Sequence, residues 1–246
     1  MNILDVKIDS ITKAEAITKI AGFLSNNKQY FITTPNPEII LYAHKYPEYR
    51  EILNRSDLAL PDGVGLVLVS KLIHEPLRER ISGADMVPEI AKLAREKNLK
   101  IAILGSLDQA MIEKTAQIMR GWGNNVPYAS HGVAKEHWND PSFHEKIIDR
   151  INASGAHIVL AGFGHPKQEE WINEYRGRLP SVKIFIGVGG ALEFIGGAIK
   201  RAPRWMQKAW LEWLWRLAQE PRRAKRIFNA VIVFPPTVIY DQFRKK

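Results

Sequence analysis

"AHIVLAGFGHPKQEEW" (156–171) decides the fold class. Its first half is a near-continuous apolar run that ends in two glycines, as in a strand buried on both faces. "VKIFIGVGG" (182–190) repeats the pattern. Working outward, shorter β-rich runs alternate with amphipathic stretches. "ILDVKI" (3–8) reads as a strand, followed by a helix from about Thr12, whose capping box pairs Thr12 with Glu15. "QYFIT" (29–33) reads as another strand, then a Thr-Pro-Asn-Pro knot and a helix over 37–49. "DLALP" (57–61) leads through Asp62-Gly63 into a helix over 64–73. A helix over 84–97 precedes the strand "KIAIL" (100–104), and Ser106 with Gln109 forms a capping box for the next helix. Strands separated by helices predict an α/β fold: a mostly parallel sheet with helices on both faces.

The composition is that of an ordinary globular chain: 246 residues, 46% hydrophobic and 25% charged. The absence of cysteine excludes disulfides, thiolate metal sites and a cysteine nucleophile. Charges recur every few residues in "MNILDVKIDSITKAEAI", unlike a signal peptide. No run reaches the ~18 apolar residues of a membrane span. The longest candidate, "IFNAVIVF" (227–234), stops at Pro235-Pro236.

The net charge of +9 is confined to the C-terminal stretch: residues 200–246 hold twelve Lys and Arg against three acids, and the rest is balanced. Four of the seven tryptophans lie there, Trp205, Trp210, Trp213 and Trp215. Apolar residues at 205, 206, 209, 210, 213, 214 and 217 form one helical stripe. This change in character divides the chain into an α/β core (1–196) and a basic, Trp-rich helical appendage (197–246). Three readings of the appendage stay open. It packs on the core, lies on an anionic membrane, or binds nucleic acid through Arg and stacked Trp. A neutral main domain offers no extended basic groove, which weighs against nucleic acid. The apolar face also suits a homo-oligomer interface.

In a sheet of this kind, ligands bind beyond the carboxyl ends of the strands. Those ends carry "TTPN", "PDG", "LGS", "GFGHPKQ" and "GVGG". A dinucleotide fingerprint needs G-x-G-x-x-G, but Lys167 and Leu192 occupy the third glycine position of the two loops. Gly162, Gly164, Gly187 and Gly189 are either tight turns or points where backbone N–H groups approach a phosphate or sugar. Asp62 is either a turn or N-cap aspartate or a general base at the crevice. Arg80 and Gln168 lie beside the same loops and are ambiguous alone. No Asp-x-Asp or close His/Asp/Glu spacing occurs, so no metal site is expected. His137 and His144 are expected to decorate a surface helix.

"TTPNPE", "LPDGVG", "RISGADMV", "AGFGHPKQEEW", "GVGGALEFIGGAIKRAP" and "WLWRLAQEPRR" occur in that order. With these stretches the chain resembles the WecG/TagA/CpsF family of bacterial glycosyltransferases over residues 3–234. The resemblance implies a Rossmann-like, inverting enzyme that needs neither metal nor other cofactor. It would move a sugar, N-acetylmannosamine in the best-known members, from a UDP-sugar to undecaprenyl-diphosphate-linked N-acetylglucosamine. Other members use N-acetylmannosaminuronic acid, glucose or glucuronic acid. The resemblance places the enzyme on the inner face of the cell membrane, with Asp62 as base and Thr34 and Asn36 beside the sugars. Arg80 and Gln168 would line the pocket, and Arg216, Arg222, Arg223 and Arg226 would close over the nucleotide. The family usually has Asp where Glu193 stands, so a ribose contact there would move by about one bond length. An RNA-binding protein and a catalytically silent membrane scaffold are the rivals from other classes.

Overall fold

The computed structural model describes all residues except 106, 107, 204, 207, 208, 210, 222, 223, 245 and 246. An N-terminal hairpin of β1 (Asn2–Ile3) and β2 (Val6–Lys7) precedes the main sheet. The sheet strands are β3 (Tyr30–Thr33), β4 (Leu58–Ala59), β5 (Lys100–Gly105), β6 (Asn125–Ser130), β7 (Ile158–Gly162) and β8 (Ile184–Gly187). They are ordered β4-β3-β8-β7-β5-β6, and every pairing is parallel.

The helices are α1 (Lys13–Leu24), α2 (Pro37–Lys45), α3 (Pro47–Asn54), α4 (Val64–Leu72), α5 (Gly83–Glu96) and α6 (Gln109–Gly121). They continue with α7 (Pro141–Ser154), α8 (Lys167–Tyr175), α9 (Ala191–Ile195), α10 (Glu212–Gln219), α11 (Ala224–Phe228) and α12 (Phe234–Arg244).

The two-sided burial inferred from the apolar runs is present. On one face Ile158, Leu160, Ile184 and Ile186 pack with Ile20, Val87, Ile90 and Ile112 of α1, α5 and α6. On the other, Val159, Ala161 and Phe185 pack with Ile147, Ile151, Trp171 and Ile172 of α7 and α8. Successive side chains alternate between two dry layers, so no polar residue is tolerated along these strands. Each fully buried Ile or Leu stabilises the fold by about 1.5–3 kcal/mol.

Several expectations are corrected. Residues 3–8 form a hairpin outside the main sheet, with Leu4 and Asp5 at positive φ in its turn. The helix over 37–49 is two helices, because Pro47 lacks an N–H and holds Tyr46 extended (φ −121°, ψ 95°). Ser106 lies outside the described residues, and the side chain that caps α6 is Asp108, which accepts from the Met111 N–H. Strand β6 was not anticipated because Pro127 interrupts its pattern; it is the edge strand, where a missing donor is tolerated. His144 is buried rather than decorating a surface, with Nε2 bonded to the Trp138 carbonyl. His137 sits in a 3₁₀ turn and stacks on Phe143.

The tail also departs from its pattern. Helix α10 begins only at Glu212, so the stripe from Trp205 to Leu217 does not lie on one helix; Trp210 lies outside the described residues. Beyond it, Pro235-Pro236 does not end the helical run. A π turn over 229–233 precedes α12, which suits prolines that cannot donate to the carbonyls four residues back. Phe234 and Val238 of α12 are fully buried against Ile3, Val6, Ile40 and Leu66. Packing is thus continuous across the 196/197 division. Among the described residues, no helix is long and apolar enough to cross a membrane.

Candidate active site

A cavity of about 710 Å³ opens beyond the carboxyl ends of β3, β4, β7 and β8, where the strand pattern placed it. Thr34, Asn36, Asp62, Arg80, Gly162, Gly164, Gln168, Gly189 and Glu193 line it, with Arg216 and Arg226 from the tail. Arg222 and Arg223 lie outside the described residues. Gly187 sits beneath the lining: a Cβ there would come within 2.7 Å of Gln168 Nε2. Gly162 allows the two glycine loops to meet, since its Cβ would lie 3.0 Å from the Gly189 carbonyl oxygen.

Two side chains of the Thr-Pro-Asn-Pro knot already serve the fold. Asn36 Oδ1 accepts from the N–H groups of Glu38 and Ile39 and so caps α2. Its Nδ2 donates to no described residue and belongs to a residue on the cavity wall. Thr34 Oγ1 donates to the Gly187 carbonyl at 3.0 Å, leaving lone pairs to accept.

Asp62 is no helix cap: Gly63 (φ +91°) is the N-cap of α4, with no side-chain cap bond. The Asp62 N–H donates to the Pro35 carbonyl at 2.9 Å, tying the "PDG" turn to the knot. Burial pushes its carboxyl up to about 6. Arg80 pulls in the opposite direction, while Asp85 and Glu212 add to the rise. The turn thus projects a half-buried carboxylate whose proton affinity burial raises toward neutrality, the direction that suits a general base.

The arginines are each held by carboxylates. Arg80 Nη1 donates to Glu212 at 3.0 Å, and its Nη2 lies 3.7 Å from Asp85. Arg201, outside the cavity lining, bonds both acids. Arg216 bridges Glu193 at 3.2 Å and Glu220 at 3.0 Å, and its guanidinium lies 4.9 Å from the centre of the Phe194 ring. Arg226 forks onto both oxygens of Glu38 at 2.6 and 2.7 Å. His165, 3.7 Å from Glu38, is held below the usual histidine range chiefly by burial. Gln168 is 1% exposed, and its amide is committed to the protein at both ends.

Sequence reasoning passed over Glu38, His165, Glu212 and Trp213, all of which line the cavity. Glu38 and His165 stood inside the quoted motifs; Glu212 and Trp213 register only as part of a helix face. No group of three or more His, Asp or Glu among the described residues is arranged to hold a metal ion.

Comparison with known proteins agrees with this architecture. The model of the glycosyl transferase WecG/TagA/CpsF family matches residues 1–246. A Bacillus spizizenii protein named N-acetylglucosaminyldiphosphoundecaprenol N-acetyl-beta-D-mannosaminyltransferase is 34% identical over 208 residues, 84% of this chain and 78% of its own length. A Staphylococcus aureus (strain MW2) protein of the same name is 31% identical over 229 residues, 92% of this chain and 87% of its own. The chain therefore belongs to the WecG/TagA/CpsF family and is a glycosyltransferase.

Proposed function

We propose that the enzyme transfers N-acetylmannosamine from its UDP derivative to N-acetylglucosamine on undecaprenyl diphosphate, with inversion and without a metal ion. The observation that carries the chemistry is the position of Asp62 on the wall of a cavity of about 710 Å³, where burial pushes its carboxyl up to about 6. As the acceptor hydroxyl attacks the anomeric carbon, Asp62 takes its proton, and the UDP oxygen leaves from the opposite face of the sugar. The charge that builds on the diphosphate is met by Arg216 and Arg226, which exchange carboxylate partners for phosphate oxygens. The first turn of α4, with Val64 and Gly65 on the cavity wall, adds the positive end of its dipole. The relatives' printed names support the choice of sugar and acceptor.

The lipid-linked acceptor reaches this base from a membrane surface. Leu68 and Leu72 of α4 are 46% and 60% exposed, and both line the cavity. Trp213 and Val231 of the tail, 39% and 43% exposed, do the same. These apolar lips suit the first isoprene units, with the basic residues of 197–246 facing anionic headgroups on the inner face of the cell membrane. Residues 1–196 thus act as the transferase core and 197–246 as its membrane-associating appendage.

The test is turnover of a lipid-linked N-acetylglucosamine with UDP-N-acetylmannosamine, by wild type and by Asp62→Asn. Near-normal turnover of the variant removes Asp62 as base. Stronger thermal protection by the UDP derivative of N-acetylmannosaminuronic acid, glucose or glucuronic acid would reassign the donor.

A further inference from the structure

Beneath the cavity floor lies a carboxylate that the transfer reaction does not use. Glu169, in the first turn of α8, is 0% exposed, and no Lys or Arg among the described residues forms an ion pair with it. Both of its oxygens are occupied by donors. Gln168 Nε2 donates to Oε1 at 2.6 Å, and the Tyr49 hydroxyl of α3 donates to Oε2 at 2.9 Å. The other titratable groups nearby are Tyr42 of α2, edge-on to Tyr49, His165, edge-on to Tyr42, and Glu170 on α8 itself. Burial pushes Glu169 up to about 7; the Gln168 and Tyr49 bonds oppose the rise, and Glu170 adds to it.

The other end of Gln168 faces the cavity floor. Its Oε1 accepts from the Gly189 N–H at 3.0 Å, and Gly189 lines the cavity. Gly187 leaves room for the pair: a Cβ there would lie 2.7 Å from Gln168 Nε2 and 3.0 Å from Glu169 Oε1. The Gly187 carbonyl in turn receives the Thr34 hydroxyl. An amide has one donor end and one acceptor end. Nε2 pointing at a carboxylate therefore forces Oε1 toward Gly189.

We propose that Glu169 is a positioning residue: as an anion it locks the Gln168 amide, and through it the Gly189 backbone that floors the donor site. Protonation puts the hydrogen on Oε2, where the Tyr49 hydroxyl turns to accept it, and leaves Oε1 a neutral carbonyl oxygen. The bond from Gln168 then loses its charge assistance, and the hold on the loop loosens. The consequence for donor affinity rests on the transferase reading; the brace itself does not.

The sign of the pH dependence separates this group from its neighbours. Protonating Asp62 or His165 makes the cavity more positive and strengthens binding of an anionic donor. Protonating Glu169 weakens it. With a midpoint near 7, the anionic fraction falls about tenfold from pH 8 to pH 6.

Calorimetry with UDP-N-acetylmannosamine, whose phosphates do not titrate in this range, should show wild-type affinity falling over that interval by up to about tenfold relative to Glu169→Gln. Glu169→Gln accepts from Gln168 as the neutral acid does and is uncharged at every pH, so its affinity should hold steady or rise toward pH 6 as Asp62 gains its proton. In the ligand-free, ¹⁵N-labelled protein the Gly189 amide resonance should titrate near pH 7, and Glu169→Gln should abolish that titration. Gln168→Met removes the brace, and Glu169→Gln added to it should change affinity no further. A wild-type affinity profile parallel to that of Glu169→Gln, or a Gly189 resonance that ignores pH, overturns the proposal. Failure of wild type to bind this donor, with Gly189 titrating as described, overturns the donor reading alone.

Discussion

Replacing Asp62 by Asn should cripple the enzyme and stabilise it at the same time. The carboxyl sits at about 6 instead of the ordinary 3.8 because the fold desolvates it more than Arg80 compensates. That displacement corresponds to about 3 kcal/mol. An acid that binds its proton more tightly when folded costs stability once it is charged. The cost is therefore full above pH 6 and fades as pH falls toward 4. Asn carries no charge at any pH. In a chain of this size each kcal/mol moves the melting temperature by about 2–4 °C. The variant should melt about 6–12 °C above wild type at pH 8 and close to it at pH 4.5. Turnover should drop by about 10²–10⁴, the usual contribution of a general base. Wild-type kcat at saturating donor should rise with pH through about 6, and the variant's residual kcat should lose that limb. Calorimetric melts at the two pH values, with initial rates across the range, make the test. A variant that melts lower than wild type at pH 8 would refute the uncompensated charge, and one with near-normal turnover would refute the base.

Three further outcomes follow from particular contacts. Phe234→Ala empties a site that is 0% exposed among Ile3, Val6, Ile40 and Leu66. It should cost about 3–5 kcal/mol and lower the melting temperature by about 6–20 °C, read by circular dichroism. Gly190→Ala places a Cβ 2.5 Å from Arg216 Nη2 and 2.9 Å from Glu193 Oε2. It should displace that pair and raise KM for the UDP-sugar about tenfold (~1.4 kcal/mol), measured by initial rates. Leu68→Asp with Leu72→Asp removes two half-exposed apolar contacts from the cavity lips. Co-sedimentation with anionic liposomes should weaken about 30-fold or more, at ~1 kcal/mol or more lost per side chain, with the melting temperature little changed. Point changes are preferred to truncation at residue 196, because deleting α12 would strip Ile40 and Leu66 of Phe234 and confound membrane binding with unfolding.

The parallel sheet was legible because its signal is local. Ile158–Gly162 and Ile184–Gly187 are apolar on both faces, and only a two-sided cover permits that. Asp62, Thr34 and Asn36 were legible as a group because strand ends converge in any such sheet. Glycines at 63, 162 and 189 marked the loops, though not which of them a ligand touches.

What stayed hidden depends on pairings between residues far apart in the chain. Arg226 meets Glu38 across 188 positions, and Arg80 meets Glu212 across 132. No window of sequence contains either pair. Burial of Glu169 is equally non-local: beside Lys167 and Glu170 it reads as one more charge on a helix, and Tyr49 shelters it from 120 positions away. The knot "TTPNP" shows both sides. Its prolines and Asn36 already determine a capped helix after a strand, because capping needs only neighbours along the chain. Tertiary structure decided the rest: it placed that cap on a cavity wall facing Asp62 and spent the Thr34 hydroxyl on Gly187, because packing decides which polar atoms remain for a substrate.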